Sequence, residues 1–107
     1  KKVDYSGPLY KSFDTEGTNI VVTFDHADGM VIKPVNNKNN FEIAGEDKIF
    51  KPADVIIKGD KLIVSNKEIK HPVAVRYAWS NTSLGTLFNK AGLPASSFRT
   101  DNWDYMK

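Results

Sequence analysis

The sequence predicts an all-β domain: a single antiparallel β-sandwich, immunoglobulin-like or jelly-roll in kind, with an irregular C-terminal tail. Three observations predict it. Short apolar stretches alternate with a period of two. Gly, Asn and Asp signals interrupt them about every ten residues. Helical periodicity is nearly absent. Roughly seven or eight strands fit before the tail, and a small barrel is the alternative closure.

The elements follow in order. Tyr10 to Thr15 and Asn19 to Asp25 form a first hairpin around Glu16-Gly17-Thr18, with Ile20, Val22 and Phe24 inward against Val21, Thr23 and Asp25. Asp28-Gly29 turns tightly into Met30 to Lys33, and the polar run Asn36 to Asn40 is a loop leading to the strand Phe41 to Ala44. Asp54 to Lys58 and Lys61 to Ser65 flank Gly59-Asp60, a two-residue hairpin whose glycine can take the positive φ of a primed turn. After His71-Pro72 comes Val73 to Trp79, where Val73, Val75, Tyr77 and Trp79 share the inward face and Ala74, Arg76 and Ala78 the other. Leu87 to Lys90 reads as a helical turn ended by Gly92-Leu93-Pro94.

Composition bounds the function. The 107 residues suit one domain with one core, and 40% hydrophobic with 26% charged residues is ordinary globular usage. Fifteen basic and 13 acidic residues leave a net charge of +2, and the lysines are interspersed with acids and asparagines, so no nucleic-acid partner is expected. No run approaches the ~20 apolar residues of a membrane helix, so no membrane partner is expected either. With no cysteine there is no disulfide framework, thiol catalysis or Cys-bound zinc. The opening Lys1-Lys2-Val3 reads as an excised piece of a longer protein.

Chemistry is sparse. Serine-nucleophile catalysis needs a serine on a sharp turn, a histidine in reach and an orienting carboxylate. No Gly-x-Ser-x-Gly elbow and no phosphate-cradling glycine loop is present. His71 precedes Pro72 at a strand entrance and reads as a surface residue. His26 lies in Asp25-His26-Ala27-Asp28-Gly29, where two carboxylates flank an imidazole and could hold a hard cation, although the same residues make an ordinary turn. The expectation is no catalytic residue, no metal and no cofactor. Sugar binding would use exposed aromatics, for which Tyr5, Tyr10, Phe13, Trp103 and Tyr105 are available, yet aromatics in a domain this small more often serve the core.

The tail from Gly92 to Trp103 is too apolar for a solvated terminus and too irregular for a strand, so it should pack, with Phe98 and Trp103 as anchors and Arg99 held by a carboxylate or carbonyls. It either seals this domain or docks on another.

Four blocks in one order, Gly7 to Ser12, Phe41 to Gly45, Pro72 to Trp79, and Gly92 to Ala95 with Phe98 to Asp101, resemble the C-terminal region of bacterial sialate O-acetylesterases, also called sialic acid-specific 9-O-acetylesterases. The resemblance covers nearly the whole chain. Mild departures are Thr82, Ser97 and Asn102, where proline, proline and aspartate are frequent. It implies a parent SGNH-type carbohydrate esterase that removes O-acetyl groups from sialic acids or other glycans, its serine and histidine in a preceding domain. Residues 1–107 would then be an accessory C-terminal domain whose partner is the catalytic SGNH domain of the same chain, with a glycan as a further partner if the domain is a carbohydrate-binding module. No catalytic residue carries over. Arg76, Phe98, Arg99, Asp101 and Trp103 are the candidates for interdomain or ligand contact, and the family implies a periplasmic or extracellular home. An independent small enzyme would require metal at His26 and its neighbouring acids.

Overall fold

In the computed structural model the described residues are 7–35, 37–78 and 85–101. They form ten strands and no helix: β1 (Leu9–Glu16), β2 (Asn19–Asp25), β3 (Val31–Ile32), β4 (Phe41–Ala44), β5 (Phe50–Pro52), β6 (Asp54–Lys58), β7 (Lys61–Ser65), β8 (Ala74–Tyr77), β9 (Leu87–Phe88) and β10 (Phe98–Arg99). The all-β sandwich expected from the alternation is what is found. One sheet runs β1-β2-β7-β6, the other β10-β8-β4-β5, and β3-β9 makes a two-stranded ribbon, every pairing being antiparallel.

Two local hairpins build the first sheet. Gly17 and Gly59 each open a two-residue turn with φ near +60° (62° and 61°), the position that type II′ geometry reserves for glycine. Between them β2 and β7 pair Ile20 with Val64 and Val22 with Leu62, and all four side chains are fully buried. Opposite them stand Phe41, Ile43, Val75, Tyr77 and Phe98 of the second sheet, in one continuous apolar core. The chain passes from the β5 edge of one sheet to the β6 edge of the other at buried Ala53, whose amide donates to the Phe41 carbonyl at 3.0 Å.

Three expectations are corrected. Leu87 to Lys90 is not a helical turn: Leu87 and Phe88 pair with Ile32 and Val31, because a fully buried Leu87 finds its backbone partners on a distant strand rather than locally. The tail is not strandless: Phe98 and Arg99 pair with Tyr77 and Arg76, so the tail seals its own sheet. Val73 does not face inward: it lies outside β8 and is 36% exposed, while Val75 and Tyr77 fill the core. Trp79, placed inward by the same alternation, lies outside the described residues, as do Tyr5, Trp103 and Tyr105.

Candidate functional site

Four of the five candidate contact residues, Arg76, Phe98, Arg99 and Asp101, meet where β10 closes the second sheet. Because β10 pairs with β8 in register, Phe98 shares a face with Tyr77 and Arg99 with Arg76. Phe98 turns into the core. Its ring stacks on Tyr10 of β1, with centroids 4.9 Å apart and planes 7° apart, and meets Phe24 edge-on at 5.6 Å, so one tail residue joins both sheets. Burial pushes the Tyr10 phenol above its ordinary range.

On the opposite face Arg76 and Asp101 form a bidentate pair: Nε donates to Oδ2 at 2.9 Å and Nη2 to Oδ1 at 2.8 Å. Their side chains are only 10% and 2% exposed. The guanidinium carbon also lies 4.3 Å from the centroid of the Phe50 ring on β5, so it is sandwiched between an anion and an aromatic face. Thr100 holds the turn between β10 and Asp101. Its amide donates to the Val75 carbonyl and its Oγ1 accepts the Val75 amide, both at 3.0 Å. Arg99 approaches the same carboxylate at 3.8 Å and keeps a third of its side chain in solvent. The tail anchor expected at Phe98 and the carboxylate expected for Arg99 are both present. Trp103 lies outside the described residues.

What this arrangement does is fasten. A buried guanidinium with both carboxylate oxygens engaged, closed by a ring, is organised for rigidity rather than for proton transfer or nucleophilic attack.

The second candidate, the turn Asp25-His26-Ala27-Asp28-Gly29, borders an open cleft of about 410 Å³ shared with Gly59 and Asp60. His26 and Gly29 both have positive φ, 56° and 63°. The carboxylates of this rim are spoken for by lysines: Asp25 by Lys11 at 3.9 Å, Asp28 by Lys90 at 3.3 Å, Asp60 by Lys61 at 3.5 Å. No group of three His, Cys, Asp or Glu side chains suited to a metal forms among the described residues. The aromatics named for sugar stacking on β1 are likewise engaged, Tyr10 with Phe98 and Phe13 against the core.

Two structural residues escaped the sequence reading. The Tyr77 hydroxyl, fully buried, accepts the amides of Thr86 at 2.8 Å and Leu87 at 2.9 Å. Asn89 clasps the loop after β9: its Oδ1 accepts the amides of Ala91 and Leu93, and its Nδ2 donates to the His26 carbonyl at 3.3 Å. The Asn89 to Leu93 spacing carries the signal for a side-chain-capped turn, which the local pattern shares with a helical one.

No protein-family model and no curated protein matches this chain. Among solved structures, a carbohydrate acetylesterase from Xanthomonas citri matches with 36% identity and a TM-score of 0.85, over 96% of this chain and 24% of that one. The chain thus spans about a quarter of the length of the protein it resembles. In sequence and in fold, this β-sandwich is carbohydrate-esterase-like, similar to one portion of a carbohydrate acetylesterase.

Proposed function

We propose that residues 1–107 are a non-catalytic accessory domain of a carbohydrate esterase, packing on and supporting a catalytic domain of SGNH type in the same protein. The observation that carries this reading is the match itself, which takes in nearly all of this chain but only 24% of the acetylesterase. The remaining three quarters of such an enzyme offer ample room for the chemistry. Within this chain, the buried polar pair Arg76 and Asp101 serves to tie the tail down, and the two histidines, His26 and His71, are exposed on a turn and at a strand approach. The finer assignment, a sialate O-acetylesterase acting on O-acetylated sialic acids or related glycans in the periplasm or outside the cell, rests on the four sequence blocks described above.

The test is hydrolysis by the purified chain. Acetate release from O-acetylated sialic acid and from p-nitrophenyl acetate should not exceed the uncatalysed rate, and saturable turnover would overturn the reading. Calorimetric titration with glycans should show no heat of binding at millimolar sugar; binding there would instead make the domain a carbohydrate-binding module.

A further inference from the structure

The outward face of the first sheet is patterned in rows that run across the strands. Ile20, Val22, Leu62 and Val64 point into the core, so their alternates point out. Cross-strand partners then align an apolar row, Val21 beside Ile63 beside Ile56, that grows more exposed toward the β6 edge, where Ile56 is 58% exposed. On one side of this row Lys58 is paired with Lys61; on the other stands Asp54, paired with Ser65. A basic end, an apolar middle and an acidic end thus occupy one sheet face.

We propose that this face is the contact surface of a homodimer, its occupant a second copy of this chain. The argument is charge complementarity under two-fold symmetry. Two sheets meeting face to face can be related by an axis in the plane of contact, lying either along the strands or across them. An axis along the strands sets each lysine row on its own mate and is repulsive. An axis across the strands, along the apolar row, keeps Ile56 and Ile63 against their mates and exchanges the two ends. Lys58 of each copy then faces Asp54 of the other, twice over. This geometry also sets the two Asp14 carboxylates, at the β1 end of the apolar row, opposite one another. The contact is small, so association should be weak and sensitive to concentration and salt. It requires no catalytic domain and is independent of the accessory role.

Sedimentation velocity over a concentration series at low salt tests it, with circular dichroism to confirm that each variant folds. The wild-type mass average should climb toward the dimer, and Ile56→Lys should hold it at the monomer. Lys58→Glu should weaken association about tenfold, and adding Asp54→Lys in the same chain should restore it, since the symmetric exchange re-forms both pairs. Asp14→Asn should strengthen it. A chain that stays monomeric throughout overturns the proposal and leaves the face to another occupant. A dimer indifferent to Ile56→Lys, or a double variant that fails to recover, overturns it as well.

Discussion

Replacing Tyr77 with phenylalanine removes one oxygen and should cost this domain a large share of its stability. The Tyr77 hydroxyl accepts two backbone amides, Thr86 at 2.8 Å and Leu87 at 2.9 Å, and all three residues have no exposed surface. Each of the two orphaned buried donors costs about 1–3 kcal/mol, and phenylalanine recovers roughly 1 kcal/mol by having no hydroxyl to desolvate, leaving a net loss of about 1–5 kcal/mol. The space vacated by a single oxygen is smaller than the ~30 Å³ share of one water, so solvent cannot take over the acceptor role without local expansion. Against a total stability of about 5–15 kcal/mol the centre of that range, about 3 kcal/mol, is severe, and it corresponds to a fall in Tm of roughly 10 °C or more. Urea denaturation followed by circular dichroism measures it directly, and amide exchange at Thr86 and Leu87 shows whether the loss is local. A loss below about 1 kcal/mol at unchanged m-value would refute the reasoning, showing that those amides find other partners.

Two further outcomes follow from the tail. Asp101→Asn removes the negative charge that engages both Nε and Nη2 of the Arg76 guanidinium, 10% exposed, and should cost about 3–5 kcal/mol, whereas the double change Arg76→Met with Asp101→Leu should be nearly neutral, as a thermal double-mutant cycle will show. Tyr10 has a folded-state pKa raised by burial above its ordinary 10.0, so the folded chain favours the neutral phenol. Its contribution is fully present below pH 10 and is lost as pH rises through the higher folded value. Tyr10→Phe should therefore flatten the alkaline limb of a stability-versus-pH curve, and an unchanged limb would assign that loss to other groups.

Local signals made the hairpins legible. Gly17 and Gly59 mark turns that only a positive φ can close, and the polar Thr23 and Asp25 alternating with Val22 and Phe24 fix which face of β2 is buried. The two-residue strands β9 and β10 were not legible, since their partners are β3 and β8 and no local periodicity of length two can be read. Alternation put Arg76 correctly on the face away from the core, but alternation knows only one layer. Asp101, 25 residues later, and Phe50 arrive from elsewhere in the fold and bury it. The same blindness hid the Tyr77 hydroxyl, whose two donors lie nine and ten residues on.

The placement of β10 beside β8 has a kinetic consequence. The β1-β2 and β6-β7 hairpins close over two-residue turns and can form within microseconds. The second sheet has one local pair, β4-β5, but its closure is long-range, because Phe98 must find Tyr77 and complete a ring cluster that includes Tyr10 from the opposite end of the chain. Such long loop closures slow the search and leave Phe24, Phe41 and Tyr77 exposed to solvent until the last strand arrives. Until β10 has emerged from the ribosome the nascent chain therefore carries an open aromatic core, which makes that interval a period of aggregation hazard for this domain.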